Sequence, residues 1–133
     1  MKVLLDTNAY SRLMRGDPDV SNLVRRSERV LMSAVVVGEL LFGFRYGQRF
    51  AENRALLEDF LAEPFTDRLE LGFETAERFG TIAVALSRKG RPIPTNDIWI
   101  AAHVMETGAE LLSYDKHFEA VEGLSWTQLT AQS

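Results

Sequence analysis

Four acidic side chains carry the chemical argument in this sequence: Asp6, Glu39, Asp97 and Asp115. Each also has an ordinary structural reading. Asp6 and Asp97 can cap helices, Asp115 can shape a turn, and Glu39 can face solvent or pair with a distant arginine. Glu39 resists that reading most. It lies within Val35-Val36-Val37-Gly38-Glu39-Leu40-Leu41-Phe42, and its helical neighbours Val35, Val36, Phe42 and Gly43 supply no cation. A charge on an apolar helix face is costly without a partner. Taken together, the four point further. Two carboxylates about 4 Å apart repel by roughly 4 kcal/mol at an effective dielectric of about 20. Several in one crevice demand protonation or a cation. Oxygen ligation without Cys or His suits a hard divalent ion, Mg²⁺ or Mn²⁺, rather than zinc. Such a site can generate a nucleophilic hydroxide and neutralise charge developing on a phosphate. Metal-assisted phosphodiester hydrolysis is the reaction class that follows.

The elements around these residues can bring them together. Lys2 to Leu5 reads as a buried strand ending at Asp6. Asp17-Pro18 is an N-cap with Pro at the first helical position, opening a helix to about Arg26. Val30 to Met32 is a second strand, after which Ser33 can cap a helix from Ala34 towards Tyr46. A further helix covers Arg49 to Ala62, and Leu69 to Leu71 is a short strand. In Glu74 to Lys89, Phe79, Ile82, Ala83 and Leu86 recur at helical spacing, and Gly90 stops the helix. Pro92 and Pro94 hold Arg91 to Thr95 extended, and Asp97 opens a helix ending at Gly108. Leu111 to Ser113 is another strand, and Leu124 to Thr127 an edge strand. This alternation predicts an α/β fold of three layers, α/β/α, around a central, mostly parallel sheet. Such sheets bind ligands at the carboxyl ends of their strands. Asp6, Asp97 and Asp115 can all project into a crevice at that edge.

Composition narrows the class. A chain of 133 residues without a linker or repeat predicts one domain over residues 1–133. With 46% hydrophobic and 26% charged residues, it is neither a disordered chain nor a fibre. Its apolar runs fall far short of the ~20 residues of a membrane span. The opening Met1-Lys2-Val3-Leu4-Leu5-Asp6 places a carboxylate where a signal peptide would stay apolar, which argues against export. Cysteine is absent, which excludes disulfides, thiolate zinc sites and cysteine nucleophiles and fits a cytoplasmic location. The net charge of −4 restricts any nucleic-acid contact to a local patch.

Four short motifs occur in order: Asp6-Thr7-Asn8 after the first strand; Glu39-Leu40 with Gly43; Pro94-Thr95-Asn96-Asp97 before Ile100-Ala101-Ala102-His103; and Ser113-Tyr114-Asp115-Lys116-His117-Phe118. From Val3 to about Gly123-Leu124 the sequence resembles a PIN domain, specifically the VapC-type toxin ribonucleases of toxin–antitoxin pairs. The resemblance implies a metal-dependent ribonuclease acting on RNA, held inactive by a cognate antitoxin and usually dimeric. It matches Asp6, Glu39, Asp97 and Asp115 to the acidic catalytic and metal-binding set, with Asp115 at the position that varies most. Thr7 and Asn8 match the polar pair that orients the first aspartate or a water. Ser113 stands where the family often has Thr, keeping the hydroxyl.

An acidic crevice needs local cations to hold RNA phosphates. Arg12 and Arg15 follow the first motif, Arg88, Lys89 and Arg91 precede the third, and Lys116 adjoins the fourth. These are the expected RNA contacts, with a solvated helix face as their ordinary reading. His103 reads as structural, while His117 is either a surface residue or a substrate contact. Phe42, Phe44, Tyr46 and Phe50 form an aromatic stretch whose exposed part would suit an antitoxin segment. Two other readings remain: a degenerate PIN-like domain that binds without cutting, and an Mg²⁺-binding receiver-type signalling module. A receiver would give Glu39 no role.

Overall fold

The strands are short, the three inner ones mostly apolar, as strands covered on both faces must be. In the computed structural model, which describes residues 1–130, these are β1 (Lys2–Leu5), β2 (Arg29–Ser33), β3 (Thr66–Leu69), β4 (Glu110–Ser113) and β5 (Trp126–Gln128). They form one sheet of order β3-β2-β1-β4-β5, parallel throughout. Leu4 pairs with Leu31 on one side and Leu111 on the other, and Leu5 pairs with Leu112. Strand order reverses at β1, since the chain first builds outward through β2 and β3 and then returns to β4. The gap between the carboxyl ends of β1 and β4 is therefore the switch point at which open parallel sheets bind ligands.

Among the described residues, six helices flank the sheet: α1 (Thr7–Met14), α2 (Pro18–Arg25), α3 (Ala34–Tyr46), α4 (Phe50–Leu61), α5 (Phe73–Arg88) and α6 (Thr95–Thr107). A 3₁₀ turn spans Lys116–Ala120. α5 packs on α6, α3 on α4 and α1 on α2, while α3 also touches α1 and α6. The three-layer α/β/α expectation agrees with this arrangement. The core is formed by the sheet's Val3, Leu4, Leu5, Leu111 and Leu112 with Val36 and Leu40 of α3 and Ile100 to Ala102 of α6. Gly108, at φ 71°, ends α6 in the left-handed conformation that glycine adopts without steric cost. Among the described residues, no helix is long and apolar enough to cross a membrane.

Two strands sit elsewhere than their composition suggests. β3 runs over Thr66–Leu69, not Leu69 to Leu71. Its sequence TDRL lacks an apolar period because it is an edge strand, aligned on β2 and tied to it by Arg29, whose Nε and Nη2 donate to Asp67 at 3.1 and 2.5 Å. β5 starts at Trp126 rather than Leu124. α1 buries Ala9 and Tyr10 and packs Leu13 against the core, and Asp6 caps its start.

Candidate active site

β1 ends where Asp6 turns the chain into α1, and its extended backbone leaves its side chain free to cap that helix. Asp6 Oδ1 accepts from Ala9 N–H at 2.9 Å. Its other oxygen accepts from the hydroxyl of Ser113, at the end of β4. The Ser113 hydroxyl in turn accepts from the Asp115 backbone N–H at 2.9 Å. One buried hydroxyl thus links the carboxylate after β1 to the loop after β4, which is why the register Leu5–Leu112 matters to the site.

Glu39 projects from the middle of α3 and is held from two directions. Thr7 Oγ1 donates to Glu39 Oε1 at 2.7 Å, and Asn96 Nδ2 donates to Oε2 at 3.3 Å. Thr7 follows Asp6 and Asn96 precedes Asp97, so Glu39 stands between the starts of α1 and α6. Asp97 occupies the first turn of α6, where a helix favours negative charge. His117 Nδ1 lies 3.5 Å from Asp97 Oδ2 and 3.0 Å from Asp115 Oδ1. Asp115 caps the 3₁₀ turn by accepting from His117 N–H at 2.9 Å. Asp97, Asp115 and His117 present ligand atoms within 4.8 Å of one another.

The electrostatics follow from that crowding. Asp6 is 6% exposed, and burial pushes its carboxyl up from 3.8 to about 6, although Ser113 and Ala9 oppose the shift. Asp97 and Asp115 raise it further by repulsion. Asp97 is likewise raised to about 6, first by burial and then by Asp115, with His117 pulling it down and Glu39 adding repulsion. Among the described residues, no Lys or Arg pairs with Asp6, Glu39, Asp97 or Asp115. A divalent cation would reverse this repulsion, and the donor set of carboxylates with one imidazole fits such an ion.

An open groove of about 690 Å³ adjoins the acidic residues, lined by Thr7, Val35, Glu39, Phe42, Leu71, Asn96 and Trp99. Phe42 is 66% exposed and meets Tyr46 edge to face at 5.1 Å, and Phe73 is almost wholly exposed. The rest of the aromatic stretch is engaged: Phe44 packs against the core, and Phe50 lies under the Arg45 guanidinium.

The remaining expected residues divide. Asn8 is exposed on the first turn of α1. Arg12 reaches Asp17 at 3.4 Å and sits over the Tyr114 ring, so its charge is partly committed within the fold. Arg15, Arg88, Arg91 and Lys116 are exposed. Lys89 is held by the Ala120 carbonyl at 2.6 Å and by Glu122 at 3.5 Å, which anchors α5 to the 3₁₀ turn. His103 is buried as expected. Its Nε2 donates to the Glu70 carbonyl at 3.0 Å, so Nδ1 accepts from Ser33 at 2.9 Å. Two roles escaped the sequence reading: that of Asn96, visible only as the neighbour of Asp97, and the contact of His117, read as a surface residue or substrate contact, with Asp97, from which it is distant in sequence.

A parallel sheet of this order, with acidic side chains at its switch point, defines a class. The chain belongs to the PIN domain family, whose family model matches residues 3–124. Within that family its relatives are VapC proteins. It is 31% identical to Ribonuclease VapC1 of Haemophilus influenzae (strain R2866), over 98% of this chain and 99% of that protein. It is 29% identical to the tRNA(fMet)-specific endonuclease VapC of Shigella flexneri, over 93% and 95%. Among solved structures, VapBC-1 from nontypeable Haemophilus influenzae superimposes with a TM-score of 0.84 at 28% identity, covering 96% of this chain and 98% of that one. PIN membership sets aside the receiver-module reading.

Proposed function

We propose that this protein is a divalent-metal-dependent endoribonuclease, the toxin of a cytoplasmic toxin–antitoxin pair, cutting RNA phosphodiester bonds at Asp6, Glu39, Asp97 and Asp115. The observation that carries the reading is the convergence of these acids, two of them with carboxyls raised to about 6, and, among the described residues, with no Lys or Arg ion-paired to them. Crowding of this kind is costly for a fold and useful at a metal site. The name of the VapC1 relative supports ribonuclease chemistry, and that of the Shigella flexneri relative makes transfer RNA the first substrate to assay.

When bound, Mg²⁺ or Mn²⁺ supplies Lewis-acid neutralisation of the phosphoryl oxygens and lowers the pKa of the attacking water. Asp6, Glu39, Asp97 and Asp115 would hold it, directly or through its waters. Thr7 and Asn96 fix Glu39 at the mouth of the groove, where a carboxylate can take the proton of the attacking water. Water then adds to phosphorus, the bond to the leaving oxygen breaks, and that oxygen gains a proton. Ser113 keeps Asp6 and Asp115 in register, and Asn8 faces solvent beside them. Arg15, Arg88, Arg91 and Lys116 supply mobile positive charge for RNA, while Arg12 and Lys89 reinforce the fold around it.

The exposed Phe42, Tyr46, Leu71 and Phe73 support a protein-covered surface beside the groove. An antitoxin segment and a second copy of the chain are the partners proposed for it, and the VapBC-1 likeness favours the former. The deciding experiment is RNA cleavage with Mg²⁺ by Glu39→Gln and Asp97→Asn, with folding checked by circular dichroism. Losses of about 100-fold or more are expected. Near-normal turnover in folded variants would refute the assignment. A parent that binds metal and RNA without cutting would favour the degenerate, binding-only reading.

A further inference from the structure

We propose that His117 is a nitrogen ligand in the divalent-metal site, so that Asp97, Asp115 and His117 form a mixed carboxylate–imidazole set that favours Mn²⁺ over Mg²⁺. The inference rests on the metal-dependent reading above and adds a residue and a metal preference to it.

The argument is geometric. In an octahedral shell with ligands about 2.1 Å from the ion, adjacent ligands lie about 3 Å apart. His117 Nδ1 lies 3.0 Å from Asp115 Oδ1 and 3.5 Å from Asp97 Oδ2, close to that spacing. The backbone maintains it. Asp115 accepts from the His117 N–H at 2.9 Å, so the start of the 3₁₀ turn folds the ring back over the carboxylate that caps it. Two of the three ligands are thus set by one local turn, and α6 delivers the third. The ring is about half exposed, open to an ion arriving from solvent.

Ligand chemistry supplies the selectivity. Mg²⁺ strongly prefers oxygen and retains its waters, whereas imidazole gains affinity along the transition series. Replacing one water or carboxylate by imidazole therefore helps Mn²⁺ more than Mg²⁺. The competing role for His117 is that of a counter-charge to Asp97 and Asp115. A counter-charge would be expelled by an incoming cation, whereas a ligand would bind it.

The test uses the full chain, stripped of metal and titrated with Mn²⁺, read by electron spin-echo envelope modulation. Bound Mn²⁺ should show ¹⁴N coupling from an imidazole, converted to the ¹⁵N pattern by ¹⁵N-histidine labelling and lost in His117→Ala. The only other histidine is His103, buried with both ring nitrogens hydrogen-bonded, so it gives no such signal. Mn²⁺ affinity should fall about tenfold in His117→Ala, at the lower end of what even indirect supports of a metal contribute. Mg²⁺ affinity should fall less than about threefold, narrowing the preference. Bound Mn²⁺ without nitrogen coupling, or an unchanged Mn²⁺/Mg²⁺ ratio in His117→Ala, overturns this inference alone. Absence of Mn²⁺ binding, or binding indifferent to Asp97→Asn, overturns the metal-dependent reading with it.

Discussion

Replacing Asp6 by Asn should abolish RNA cleavage while making the metal-free protein more stable at neutral pH. Asn keeps an oxygen for Ala9 N–H, and the Ser113 hydroxyl can rotate to accept from its amide. What the substitution removes is a buried carboxylate among other carboxylates. The Asp6 carboxyl titrates at about 6 in the fold against 3.8 as a free side chain. Between those values the folded chain holds a proton that the unfolded chain has released, so stability falls as pH rises through that window. Above about 6 the penalty is complete and constant. A displacement of about two units corresponds to about 3 kcal/mol. That figure already contains the repulsion between Asp6 and Asp97, which the substitution removes once for the pair. The assay is urea unfolding in EDTA at pH 4 and pH 7.5. Asp6→Asn should exceed the parent by about 2–3 kcal/mol at pH 7.5 and by little at pH 4. Saturating Mn²⁺ should then stabilise the parent more than the variant, which keeps Asp97, Asp115 and His117 but lacks the Asp6 charge. A parent as stable as the variant at both pH values would refute the reasoning, since it would mean that Asp6 has a favourable partner for its charge.

Two further outcomes follow from the same contacts. Ser113→Ala removes the donor that holds down the Asp6 carboxyl and the acceptor for Asp115 N–H, so the rising limb of the cleavage pH profile should move to higher pH, while Ser113→Thr should leave it in place. Arg88→Gln combined with Arg91→Gln should raise KM for RNA and flatten its salt dependence with kcat unchanged, because exposed cations act through phosphate attraction; an identical salt slope would remove these arginines from the RNA path.

Much of the site was legible because its residues break local patterns. Asp6 and Asp115 end or follow apolar strands, Asp97 opens a helix after a proline-rich loop, and Glu39 interrupts an apolar helix. What stayed hidden depends on packing between distant segments. Thr7 and Asn96 meet on Glu39 although they lie 32 and 57 residues from it, and no periodicity reports that. The same holds for His117 over Asp97, and for Lys89, whose ammonium reads as free charge until α5 meets the Ala120 carbonyl. β3 was displaced because its register comes from β2 and the Arg29–Asp67 pair, not from an apolar run of its own.

The central claim is that side chains far apart in sequence share one divalent ion. Anomalous diffraction from crystals grown with Mn²⁺ tests it most directly. The account predicts a manganese peak at the carboxyl ends of β1 and β4, within about 2.3 Å of carboxylate oxygens from at least Asp97 and Asp115 and absent in Asp97→Asn. A peak elsewhere on the surface, or none at saturating Mn²⁺, would contradict it.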